Sequence, residues 1–251
     1  GARYDEDGGS NAGQTYLILG KVTFSKVADD ITALSYSPSN LVMTQKYYWK
    51  VIATDPSGSV TSSTMTFTVK VAPEWSYEPG GGVYGISISA DGEYIVAGSN
   101  DNKVYLFDKD SSTPLWSYAT GGDVISVAIS ADGEYIVAGS YDDKVYFFDK
   151  DSSTPLWIYT TGGDVNKVAI SADGEYIVAG GFDDKVHLFN KDSSTPLWSY
   201  TTGDDVYGLS ISADGEYIVA GGYDDKVYLF DKDSSTPLWN YSTGAYVSSV
   251  S

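Results

Sequence analysis

The 251-residue chain contains no cysteine, one histidine and two methionines. Without thiols it forms no disulfide and no thiolate metal site, and redox chemistry gives no guide to compartment. A single imidazole, His187, rules out histidine clusters as metal centres. Any Ser-His-Asp chemistry would have to pass through it, and no Gly-x-Ser-x-Gly nucleophile turn is present. His187 stands where other copies of a repeated strand carry Tyr105, Tyr146 and Tyr228, a position that suits packing better than general-base work. No apolar run reaches the roughly 18 residues of a membrane span, and no signal peptide is visible after Gly1. Bases are scarce too: 15 Lys and Arg stand against 34 Asp and Glu, for a net charge of −19. Residues 1–72 balance six acids with six bases, so the whole excess lies in residues 73–251, where 28 acids face nine bases. Such a surface repels phosphate backbones, and nucleic acid is not expected as a partner.

What the chain has instead is repetition. The decapeptide Ser-Ala-Asp-Gly-Glu-Tyr-Ile-Val-Ala-Gly stands unchanged at Ser89–Gly98, Ser130–Gly139, Ser171–Gly180 and Ser212–Gly221. Trp75, Trp116, Trp157, Trp198 and Trp239 keep the same step of 41 residues. A fixed period of this size marks a repeat architecture. Within one unit, Val124–Ser130 reads as a short strand and Ala131-Asp-Gly-Glu134 as a turn, with Gly133 at the left-handed position. Tyr135–Gly139 is a second strand, and its Ala-Gly end implies close approach by a neighbouring backbone. Asp142-Asp143 turns the chain into Lys144–Asp149, apolar on both faces and therefore sandwiched. Asp151–Pro155 turns again into Leu156–Tyr159. Four short antiparallel strands per unit amount to a propeller blade with both faces apolar, so blades must stack. A tryptophan buries about 150–250 Å², worth at most roughly 4–6 kcal/mol, so the five indoles are expected between blades.

Asp-Gly-Glu-Tyr-Ile-Val-Ala-Gly-Ser with Asp-Asp-Lys-Val-Tyr-Leu-Phe-Asp is similar to WD-repeat blades, and Val-Tyr-Leu-Phe-Asp followed by Pro-Leu-Trp resembles blades of the pyrroloquinoline-quinone (PQQ-like) superfamily. The resemblance covers residues 73–251 and implies complete blades near 83–118, 124–159, 165–200 and 206–241, with extra strands at 74–78 and 245–251. It departs from its families at several points. The Gly-His and Trp-Asp pairs of many WD repeats are missing, Ser-Ser-Thr-Pro replaces the usual Thr-Gly-Lys before Trp, and no vicinal cysteines can face a quinone. The part-blades at each end lead to one of two expectations: the chain is a fragment of a longer array, or two copies meet to complete one ring.

Residues 1–72 read as a β-rich module with strands at Gln14–Leu19, Lys21–Val27, Ala33–Tyr36, Lys46–Thr54 and Val60–Val71. Tyr-Tyr-Trp-Lys-Val-Ile-Ala-Thr-Asp with Pro56-Ser-Gly58 and Thr66-Phe-Thr-Val69 resembles a partial fibronectin type III sandwich, short of the usual seven strands. The opening Asp5-Glu-Asp7 also resembles the calcium loop of integrin-type propellers, which would make Asp5, Asp7 and Asn11 ligands; a full D-x-D-x-D-G loop is missing. No other cofactor is expected.

The four copies differ from one another in only a few places. The first-to-second turns are invariant, whereas the fourth-to-first junctions read Gly82, Asp123, Asp164, Asp205, then Tyr84, Ile125, Asn166, Tyr207 and Gly85, Ser126, Lys167, Gly208. The second-to-third turns carry Asn100, Tyr141, Phe182, Tyr223. Antiparallel strands bring these two variable sets out on one face, where loops vary without disturbing the stack. The expected binding face is therefore Tyr141, Phe182 and Tyr223 with Asp123, Asp164 and Asp205, flanked by Asn166 and Lys167. Aromatic rings beside carboxylates suit sugars or cations. The expected function is non-enzymatic binding or scaffolding outside the cell or at its surface, with a protein or carbohydrate partner. The rival reading, which the PQQ-like resemblance implies, is an oxidoreductase or a glycan-active enzyme with its site at the central channel.

Overall fold

The computed structural model describes residues 75–251 and, ahead of them, the backbone of five strands. The chain divides into two compact units, Gly1–Glu74 and Trp75–Ser251. In the first, β1 (Gln14–Leu19), β2 (Thr23–Ala28), β3 (Lys46–Asp55), β4 (Gly58–Thr61) and β5 (Met65–Thr68) form one antiparallel sheet in the order β2-β1-β3-β4. β4 and β5 both pair with β3, at Ile52–Asp55 and Lys46–Trp49 respectively. The single strand expected at Val60–Val71 is thus two short ones, laid end to end along a ten-residue partner. The fibronectin type III resemblance finds no support in these strands, which make one layer; Ala33–Tyr36, Asp5, Asp7 and Asn11 lie outside the described residues.

The second unit is all β: four four-stranded antiparallel sheets, each in simple up-and-down order. Blade 1 holds β6 (Val83–Ile88), β7 (Tyr94–Ser99), β8 (Lys103–Asp108) and β9 (Trp116–Ala119). Blade 2 holds β10 (Val124–Ile129), β11 (Tyr135–Ser140), β12 (Lys144–Asp149) and β13 (Trp157–Thr160). Blade 3 holds β14 (Val165–Ile170), β15 (Tyr176–Gly181), β16 (Lys185–Asn190) and β17 (Trp198–Thr201). Blade 4 holds β18 (Val206–Ile211), β19 (Tyr217–Gly222), β20 (Lys226–Asp231) and β21 (Trp239–Ser242). Successive blades meet along their first strands, β6 on β10, β10 on β14 and β14 on β18, so the sheets fan out from an inner line as propeller blades do.

Local chemistry explains the turns. In the Ser-Ala-Asp-Gly-Glu turn of blade 2, the Ser130 hydroxyl donates to Asp132 at 2.6 Å and accepts the Tyr135 amide at 3.0 Å, while Asp132 also accepts the Glu134 amide. Gly133 takes φ 76°, a conformation that costs a side chain. Every blade repeats this arrangement. Adjacent turns are also linked: Ala90 donates to the carbonyl of Ala131, Ala131 to Ala172 and Ala172 to Ala213, each at 2.9 Å.

The core lies between blades. Val96, Val104 and Leu106 of blade 1 pack with Val124, Ile136 and Phe148 of blade 2, and the two later junctions repeat this pattern. Gly98 and Gly139 confirm the close approach expected of the Ala-Gly ends: a Cβ at either would stand 2.6 Å from a valine methyl of the following blade. Trp116, Trp157 and Trp198 each pack at a tilt against a phenylalanine of the next blade and donate their indole N–H to its backbone, at 2.7, 2.8 and 2.7 Å from the carbonyls of Lys150, Lys191 and Lys232.

The two ends differ from the sequence expectation. Trp75–Glu78 and Ala245–Ser251 are not strands, because neither has a sheet partner of its own, yet both lie against the neighbouring blade. Trp75 stacks on Phe107 and donates to the Lys109 carbonyl. The Val247 amide donates to the carbonyl of Gly222. Four of the five indoles are packed as expected; Trp239 is 48% exposed, since no blade covers its face among the described residues. At the opposite end Ile86 is 71% exposed, whereas its blade 2 counterpart Val127 is 8% exposed.

Candidate functional site

The variable junctions and variable turns are tied together by backbone. The amides of Tyr141, Phe182 and Tyr223, at the second-to-third turns, donate to the carbonyls of Asp123, Asp164 and Asp205, all at 2.9 Å. The next residues reinforce the knot. Asp142 accepts the Gly121 amide at 2.8 Å, the Tyr146 hydroxyl at 2.5 Å and the Lys144 ammonium at 3.2 Å. Thr161 Oγ1 lies 2.9 Å from the Asp143 carbonyl and 2.6 Å from that of Gly163, closing the same corner one blade on. Asp143, Asp184 and Asp225 hold φ between 59° and 65°, which lets these three-residue turns close. All six ring and carboxylate residues expected at the binding face are thereby brought to one side of the blades.

The first strands add rings that the sequence reading left out of the site. Each has a register shift at its second residue, between Val83 and Gly85, Val124 and Ser126, Val165 and Lys167, and Val206 and Gly208. Tyr84, Ile125, Asn166 and Tyr207 are therefore bulge residues, left out of the ladder and re-aimed by it. Tyr207 sits between Phe182 and Tyr223, with ring centroids 5.6 and 4.7 Å away. Tyr141 lies 6.1 Å from Phe182, and Tyr246 stacks on Tyr223 at 5.1 Å with planes 16° apart. The result is one continuous row, Tyr141–Phe182–Tyr207–Tyr223–Tyr246, crossing three blades. Tyr84 stands apart and accepts from Asn100 Nδ2 at 3.3 Å. Tyr246 was legible in one respect: it occupies, one repeat on, the place of Asp205.

Carboxylates dominate the electrostatics of this face. Burial pushes the Asp164 carboxyl above its usual range, helped by Asp143, and Asp205 is raised by burial with Asp204 and Asp184 close by. The Tyr141 and Tyr207 phenols are raised by burial and by these carboxylates. Asn166 donates across the blade junction to the Val206 carbonyl at 3.3 Å. Lys167 pairs in register with Gly180, one residue past the bulge, and is not part of the ring row. Asp184, Asp204 and Asp205 bring one carboxylate oxygen each within 4.8 Å of the others; this is an exposed acidic corner and carries no metal assignment.

His187 makes contacts that sequence spacing did not reveal. Register places it opposite Ser199, whose hydroxyl is 2.7 Å from Nδ1, and Nε2 is 2.9 Å from Asp183. The imidazole is buried beneath Tyr159. It does for Asp183 what the tyrosine hydroxyl does for Asp101, Asp142 and Asp224 in the other blades.

The family described as outer membrane protein assembly factor BamB, a PQQ-type repeat family, matches residues 49–239. That is well over half of the chain, and the protein belongs to this family of propeller repeats. No curated protein matches it. Among the described residues no helix is long and apolar enough to cross a membrane.

Proposed function

We propose that this propeller is a non-enzymatic binding platform at the cell surface, holding a protein or carbohydrate partner on the face that carries the aromatic row. The row is the observation that carries this reading. Rings that could have buried themselves between blades instead stand on the one face where the repeats differ, and Tyr141, Tyr223 and Tyr246 are each more than a third exposed. The family description, an assembly factor of the outer membrane, supports a protein partner and an envelope location. No catalytic role is proposed for Ser199, His187 and Asp183, which replace a structural contact made in every other blade.

The test uses the whole chain against arrays of glycans and of peptides, alongside a Tyr141→Ala/Phe182→Ala/Tyr223→Ala variant checked for an unchanged β-sheet spectrum. At least one class of ligand should bind the unaltered protein and be lost from the variant. Equal binding by both proteins would remove the face from consideration.

A further inference from the structure

The two faces of the blades handle their charge differently. On the side of the invariant turns, every glutamate has its lysine: Lys109 to Glu93 at 3.1 Å, Lys150 to Glu134 at 3.2 Å, Lys191 to Glu175 at 2.5 Å and Lys232 to Glu216 at 3.4 Å. On the aromatic side Lys144 and Lys226 reach the turn aspartates Asp142 and Asp224 at 3.2 and 3.9 Å, but Asp123, Asp164, Asp204 and Asp205 have no ion-pair partner among the described residues. Carboxylates left unpaired beside exposed rings form a surface whose complement is a cation with an apolar stem.

We infer that the partner of this face is a basic polypeptide segment, its arginine and lysine side chains laid over the Tyr141–Tyr246 row and their charges set beside Asp123, Asp164 and Asp205. The inference rests on the platform reading above and narrows it. The geometry favours such a chain over a sugar. Three of the four ring steps are tilted or edge-on, with planes 36°, 43° and 71° apart, so the rings form no continuous flat strip for a run of stacked sugars. A guanidinium needs only one ring face at a time, within about 6 Å of the centroid. The carboxylates arrive once per blade alongside the rings, so charge and aromatic contact alternate along the row. A neutral sugar gains little from this negative field. For a cation it both strengthens binding and steers the approach. Asp164 and Asp205 are raised first by burial and then by the carboxylates beside them, and a bound cation would offset the second of these. Four centroid steps of 4.7–6.1 Å are spanned by roughly six extended residues.

The experiment titrates the whole chain with labelled arginine, lysine and glutamate peptides of about eight residues, and with neutral oligosaccharides. The arginine peptide should bind best, the lysine peptide less well and the glutamate peptide not at all. Because the protein is acidic throughout, two charge variants must be compared. Asp123→Asn/Asp164→Asn/Asp205→Asn should weaken arginine binding at least about tenfold, and the Tyr141→Ala/Phe182→Ala/Tyr223→Ala variant by a similar factor. Glu93→Gln/Glu134→Gln/Glu175→Gln removes the same charge from the opposite face and should leave affinity within about twofold. Equal losses in the two charge variants would reduce the attraction to bulk charge and overturn the inference. Binding of an oligosaccharide through the rings, with no preference for arginine, would overturn it while sparing the platform reading. If no probe binds, or if the ring variant binds every probe as the unaltered protein does, the inference fails.

Discussion

The indole of Trp157 lies sandwiched between Phe147 of its own blade, at 4.9 Å, and Phe189 of the next, at 5.3 Å, with its N–H on the carbonyl of Lys191. This one side chain joins two sheets by stacking and by a hydrogen bond that no smaller residue replaces. Trp157→Ala should cost about 3–5 kcal/mol in chemical denaturation. Trp239→Ala removes the same side chain from a half-exposed site and should cost less than half as much. Similar losses at the two positions would mean that stacking between blades is not what holds the array.

Gly139 marks a close approach of two blades. A Cβ there would stand 2.6 Å from Val165 Cγ1 and 3.2 Å from the Val165 carbonyl. Gly139→Ala should therefore destabilise by about 1–3 kcal/mol, as overpacking does. Gly82→Ala meets nothing closer than 3.9 Å and should be close to neutral. Thermal melts of the two variants side by side make the comparison.

His187→Tyr should be tolerated. It restores the residue of the other three blades, where the phenol hydroxyl donates to the turn aspartate, as Tyr146 does to Asp142. His187→Phe keeps the ring and removes the donor, leaving Asp183 Oδ2 short of a partner at a cost of about 1–3 kcal/mol. If the phenylalanine variant is as stable as the tyrosine variant, the hydrogen bond to Asp183 contributes nothing.

Acid should act in two stages. Burial opposes ionisation of Asp183 and Asp142, but hydrogen bonds outweigh it, led by His187 for the first and Tyr146 for the second, and hold both carboxyls below their ordinary value of 3.8. The stability they contribute is present above that value and is lost as pH falls through their lower folded values. Asp164 and Asp205 have the opposite sign: raised in the folded protein, they favour it once protonated, and that gain is lost as pH rises through their folded values. Denaturation midpoints should rise slightly as pH falls from neutral towards about 4 and drop steeply below it. Asp164→Asn/Asp205→Asn should remove the rise and keep the drop; a rise that persists in this variant would place its origin elsewhere.

Much of this architecture could be read before any coordinates. The 41-residue step of the tryptophans, the Ser-Ala-Asp-Gly turn and the Ala-Gly strand ends each state a local requirement, and all of them agree on a stack of four-stranded sheets. The side on which the repeats differ was legible for the same reason, since antiparallel strands send alternate turns to opposite faces. What the string of letters concealed depended on register. A bulge is invisible in a six-residue strand, so Tyr207 could not be placed between Phe182 and Tyr223. The facing of His187 and Ser199 comes from cross-strand pairing, twelve residues apart in sequence. The five indoles looked equivalent by period, and only packing separated Trp239 from the rest.

The bulges also determine how cheaply this surface can change. A residue excluded from the ladder can be exchanged without altering any strand's pairing, so Tyr84, Ile125, Asn166 and Tyr207 are interchangeable tips on an unchanging frame. Copying a unit and then altering that single letter changes what the face presents while leaving every strand's pairing as it was. A randomised library at these four sites would be the shortest route to altering the proposed binding face.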